Sequence, residues 1–232
     1  MKNYDVSHNG LKLQGYDFED IVPHGVFNAV FSRAGVGKTS FIVQIALNAM
    51  LKQKNVLHIG VGDPVNKISL WYKEIFCLLA EQNKINNTEL FFESLLKKRF
   101  IMTFNVDAFN VPRLAERLSD LSEQNIFSPD MIIIDGLDFD STVQASMTDL
   151  KTFAEKTSLN VWFTVRTHRH EDSGDSDFPI QLSNIQHLFD IVLQLRPDGK
   201  RIHMLTLKGE SAGGKDRKII LDPSSMLIKV AT

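Results

Sequence analysis

Cysteine is nearly missing from this chain: Cys77 stands alone. That excludes an intramolecular disulfide and a cysteine-based zinc site, and its apolar surroundings, Ile-Phe-Cys-Leu-Leu, predict an inert buried thiol. An excess of charge of either sign is missing too. Lys and Arg number 26 against 28 Asp and Glu, a net of −2, so there is no overall pull toward nucleic acid or an anionic membrane. No apolar run approaches the roughly 20 residues of a membrane span. The opening Met-Lys-Asn-Tyr-Asp-Val-Ser-His has no apolar core of a secretory signal. A soluble, cytoplasmic protein is expected. Linkers, repeats and low-complexity blocks are also absent, so residues 1–232 are expected to form one domain.

What is present is concentrated in Phe-Asn-Ala-Val-Phe-Ser-Arg-Ala-Gly-Val-Gly-Lys-Thr-Ser-Phe, residues 27–41. An apolar strand-like run leads into a loop of mostly small residues, then Gly-Lys-Thr, then an apolar helix. Phosphate binding needs that order. Backbone N–H groups from Ala34 to Thr39 can curl around a phosphate at the positive end of the helix, within a nucleotide-binding stretch of Ser32, Arg33, Ala34, Gly35, Val36, Gly37, Lys38, Thr39 and Ser40. The Lys38 ammonium can reach β and γ oxygens, and the Thr39 hydroxyl can ligate Mg²⁺. Ser32 replaces the first glycine of G-x-x-x-x-G-K-[ST]. A small residue can make that exit from the strand if its φ stays negative.

Strands are predicted at 27–31, 56–61, 99–104, 131–134 and 160–165. They alternate with helices at 38–52, from Pro64 onward, and at 88–98, 111–124 and 143–157. That alternation implies an α/β fold with a mostly parallel central sheet. Beyond a polar, acidic stretch at 167–179, a short helix at 182–188 is expected. Strands at 191–195, 201–207, 218–221 and 226–230 then form an antiparallel C-terminal extension, with Pro197-Asp198-Gly199 as a hairpin turn.

Asp135, closing Met-Ile-Ile-Ile-Asp, is the second informative residue. A carboxylate at the C-terminal tip of a buried strand faces the crevice where ligands bind in α/β sheets, and can hold Mg²⁺ with Thr39. Alone, it reads equally as an aspartate that starts a turn. Downstream of the strand, glycine loop and helix, it completes a P-loop pair. The Asn-Lys-x-Asp that reads guanine is absent, which points to ATP.

With these motifs the chain resembles the RecA-like ATPases, in particular KaiC-type proteins and DnaB-type replicative helicases, over about residues 11–230. Phe18-Glu-Asp-Ile-Val-Pro-His-Gly25 is similar to the KaiC-type lead-in. The resemblance implies a RecA-like P-loop NTPase fold, ATP and Mg²⁺ as cofactors, and a homo-oligomer such as a hexamer or filament. It also implies a catalytic glutamate just after the second strand, where this chain has Gly62 and then Asp63. Asp63 is the candidate base, and reads equally as a helix N-cap. A lysine and an arginine reaching a neighbouring subunit's γ-phosphate are implied at Lys208 and, two residues on, Glu210, which cannot serve; Arg217 is a distant substitute. Lys208 also reads as a solvated strand end. Thr167 and His168 occupy the place of a phosphate sensor, or belong to a surface loop.

Three functions fit. The first is an ATP-binding regulatory switch with slow or no hydrolysis, acting on a protein partner that the sequence does not identify. The second is a DNA-dependent motor, recombinase or helicase. Against it, the loop that would meet DNA carries Glu171, Asp172, Asp175 and Asp177, whereas phosphate contacts with nucleic acid need cations. The third is a phosphotransferase, for which no arginine-rich lid is visible.

Overall fold

The computed structural model describes residues 12–13, 16–17, 25–106, 109–139, 141–167, 178–209 and 218–231. The lead-in 18–24, His168 with the acidic residues after it, Glu210 and Arg217 lie outside the described residues.

Two short strands, β1 (Lys12–Leu13) and β2 (Tyr16–Asp17), pair antiparallel. The main body begins with β3 (Phe27–Arg33), α1 (Lys38–Leu51), β4 (Val56–Val61), α2 (Val65–Gln82), α3 (Thr88–Leu96) and β5 (Arg99–Phe104). It continues with α4 (Val111–Glu123), β6 (Met131–Asp135), α5 (Ser141–Lys156) and β7 (Asn160–Thr167). It ends with β8 (Ile191–Asp198), β9 (Arg201–Lys208), β10 (Ile219–Leu221) and β11 (Ile228–Val230). These strands form one nine-stranded sheet in the order β11-β10-β9-β8-β3-β7-β6-β4-β5. From β8 to β5 all neighbours are parallel; β8 to β11 pair antiparallel. The expected α/β class, parallel centre and antiparallel extension are therefore present.

Strand alternation divides the core. Val30, Ile133, Trp162 and Leu193 face α1, α2 and α3, while Phe31, Ile134, Phe163 and Val192 face α4 and α5. Covered on both faces, Ile132, Ile133 and Ile134 of β6 are completely buried, and each contributes about 1.5–3 kcal/mol of transfer free energy. Helix α1 is buried from Ser40 to Leu51. The sheet covers one side of it, and Leu221, Leu227 and Ile228 from the C-terminal strands pack into the same cluster. The α4 helix shows the local logic most plainly. Asn110 Oδ1 accepts the Arg113 N–H at 2.9 Å, a cap worth about 1 kcal/mol, and Val111, Leu114 and Leu118 form the buried stripe.

Several expectations change. The helix expected at 182–188 is two separate 3₁₀ turns, Ile180–Leu182 and Gln186–Leu188. The Cys77 thiol is exposed rather than buried, because the inward stripe of α2 runs through Ile68, Tyr72, Ile75, Phe76 and Leu79 and turns residue 77 to solvent. Pro64 stands at the N-cap of α2 rather than inside its first turn, and no side chain caps that helix. No helix among the described residues is long and apolar enough to cross a membrane.

Candidate functional site

The site forms where β3 ends, at the C-terminal edge of the parallel strands. Ser32 remains a strand residue: it is buried and pairs with Arg166 of β7, and it is not among the residues with positive φ. The glycine-free exit is thus made without backbone strain. Gly37 is different. It is the N-cap of α1 at φ +115, and a Cβ there would run into the Leu221 side chain. The first bond of the helix is Phe41 N–H to the Gly37 carbonyl at 2.9 Å. The N–H groups of Lys38, Thr39 and Ser40 therefore have no partner inside the helix, and no side chain caps them. They can receive an anion.

Lys38 leans back over the loop. Its ammonium donates to the Ser32 carbonyl at 2.8 Å, the Arg33 carbonyl at 3.0 Å and the Ser32 hydroxyl at 3.3 Å. Burial holds its pKa down at about 8, against the pull of Asp135 and with a further push from the Arg166 guanidinium.

Asp135 links the loop to the neighbouring strands. Thr39 Oγ1 donates to its Oδ2 at 3.2 Å and Thr164 Oγ1 to its Oδ1 at 2.5 Å, while the Gly136 N–H closes on Thr164 Oγ1 at 3.2 Å. Burial raises the Asp135 pKa above the usual carboxylate value, and the two threonine hydroxyls partly oppose it. A hydroxyl and a carboxylate side by side are hard oxygen donors and suit Mg²⁺, with phosphate and water completing its shell. Among the described residues no group of three or more His, Cys, Asp or Glu side chains could hold a metal by itself. Thr39 and Asp135 fit a cation that arrives with a phosphate.

The expected catalytic partners are placed less favourably. Gly62 sits at φ +80 with its N–H bonded to the Phe104 carbonyl, a conformation that an L side chain adopts only under strain. Asp63 Oδ1 is ion-paired with Lys67 at 2.7 Å and does not cap α2. Lys208 lies at the opposite end of the sheet from the glycine loop. It is paired with Val192, and its ammonium donates to the Gln186 carbonyl at 2.8 Å and the His187 carbonyl at 3.3 Å. Within one subunit it takes no part in the loop's site.

Strand β7 runs two residues further than the sequence suggested, and that reverses the reading of its tip. Trp162 faces α1, Phe163 and Val165 face the other core, and Thr164 meets Asp135. By alternation Arg166 stands on the loop's face, opposite Ser32, while Thr167 pairs with Arg33 and belongs to the far face. Sequence reasoning missed Thr164 and Arg166. The 2-residue step from Trp162 was the available signal. It also missed Gln44, whose side chain, with the Ser40 hydroxyl, ties α1 to the Met226 turn.

No protein-family model matches the chain, and no curated protein matches it.

Proposed function

We propose that the protein is a RecA-like P-loop protein that binds ATP with Mg²⁺ and acts as a regulatory switch, hydrolysing slowly or not at all. The carrying observation is the link from Lys38 and Thr39 at the start of α1 to Asp135, with Thr39 and Asp135 in direct contact at 3.2 Å. The free N–H groups of Lys38, Thr39 and Ser40 bind the phosphates. Lys38 exchanges its bonds to Ser32 and Arg33 for phosphate oxygens. Thr39 and Asp135 hold the metal, which when bound offsets phosphate charge. Slow turnover is supported by Gly62 where the resemblance puts a base, and by Asp63 being engaged with Lys67. Assembly into a ring or filament, and a protein partner that reads the bound state, belong to the same proposal.

Calorimetric titration with Mg·ATP tests it. Saturable binding is expected, Lys38→Ala should abolish it, and Asp135→Asn should remove the Mg²⁺-dependent part of the affinity. A flat titration of the unaltered protein at millimolar nucleotide refutes the binding. Steady phosphate release near the enzyme median of about 10 s⁻¹ refutes the switch. Light scattering with and without Mg·ATP reads the assembly.

A further inference from the structure

Beside Lys38 the site holds a second cation, Arg166, to which neither the glycine-loop motif nor the aspartate motif assigns a task. It is exposed at the tip of β7, the strand between the glycine-loop strand and the Asp135 strand. Its backbone pairs with Ser32, and it lies one alternation step beyond Thr164, about 6.6 Å along the strand. Thr164 holds Asp135 and Asp135 meets Thr39, so Arg166 continues a line of side chains on one face of the sheet. No described residue forms a hydrogen bond or ion pair with its guanidinium. The charge is nonetheless close enough to help lower the Lys38 pKa. Asp135 attracts Lys38, but the push of Arg166 on Lys38 remains, and a polyanion placed at both cations relieves it.

We propose that Arg166 reads the terminal phosphate of a bound nucleoside triphosphate from within the same subunit, and so sets the preference for triphosphate over diphosphate. This rests on the nucleotide-binding reading above. The helix N-terminus takes the α and β phosphates, which a diphosphate also offers, and Lys38 spans the β and γ oxygens. The phosphate that distinguishes the two ligands extends past Lys38 along the strand tips, where Arg166 offers a planar fork suited to two phosphate oxygens. An ordinary solvated arginine would explain the exposure. It would not explain a position on the loop's face, in line with Thr164 and Asp135. Thr167, on the far face, is thereby relieved of the sensing role, and the cation that the Glu210 position lacks is supplied in cis.

The test is affinity for ADP and for a non-hydrolysable imido-triphosphate analogue, both with Mg²⁺ at about 0.15 M salt, in the unaltered protein, Arg166→Ala and Arg166→Lys. A hydrogen-bonded charge pair is worth about 10- to 100-fold in affinity. Arg166→Ala should lose that much for the triphosphate and less than threefold for ADP; Arg166→Lys should fall between, having lost the fork. Retained ADP binding reports that the variant is folded. Equal loss for both ligands, or none for either, overturns the Arg166 assignment and leaves the binding function standing. Failure of the unaltered protein to bind either ligand refutes the binding function itself, and this assignment with it.

Discussion

Replacing Gln44 by leucine probes how the C-terminal strands hold the helix that starts the site. Gln44 is completely buried. Its amide donates to the Met226 carbonyl at 3.0 Å and the Ser40 carbonyl at 3.1 Å, and its oxygen accepts the Ile228 N–H at 2.8 Å. Leucine has a similar volume, so no large cavity opens. The Met226 carbonyl keeps the Ser40 hydroxyl at 2.6 Å. The Ile228 N–H keeps nothing, and an orphaned buried donor costs about 1–3 kcal/mol. With about 2 kcal/mol lost, Tm should fall by about 4–8 °C for a chain of this size. Circular dichroism melting measures the drop. Hydrogen exchange across 219–230 should accelerate, since the strands lose their anchor to α1. A Tm within 1 °C of the parent, with unchanged exchange there, would refute the bracing role of Gln44.

Further outcomes follow from the site's electrostatics and layout. The Lys38 ammonium has a pKa of about 8, lowered chiefly by burial, and bound phosphate keeps it protonated, so affinity for Mg·ATP should fall roughly eightfold from pH 7.5 to 9. Lys38→Arg, which does not titrate, should flatten that profile. The same depressed value makes the ligand-free fold more stable as pH rises from about 8 toward 10.5, where the unfolded chain binds more protons. Lys208→Ala should leave nucleotide affinity within twofold in dilute protein while lowering stability by about 1 kcal/mol, since its bonds to the Gln186 and His187 carbonyls are lost. A tenfold loss of affinity in dilute protein would refute the separation of Lys208 from the site.

Much of the sheet was legible because its strands are short apolar runs set between helical periodicities. The pairing of Thr39 with Asp135 was legible because each closes a motif whose geometry is local. Other features depended on single steps of phase. A β7 ending at residue 165 would put Thr167 in the loop beyond it, whereas the extended ladder to Arg33 gives Arg166 the loop's face. Cys77 lay in an apolar stretch, yet one helical step turned it outward. The tie from Gln44 to Met226 spans 182 residues of sequence. No periodicity or motif announces it, because the contact exists only once the sheet is assembled. The 3₁₀ turns at Ile180–Leu182 and Gln186–Leu188 carry helical composition in pieces too short to continue.

The fastening of α1 to the Met226 turn also bears on how the protein is made. The helix that opens the site is synthesised early, yet the partners of Ser40 and Gln44 stand 182 to 186 positions later, at Met226 and Ile228. Contacts at such separation form late, after the local helices and the parallel centre. A nascent chain that has just released β3 and α1 therefore carries the glycine loop without the strands that brace the helix behind it. Capacity to hold a ligand should arrive abruptly, near residue 228, and not grow with chain length. Ribosome-stalled chains ending before and after β11 would display that step directly.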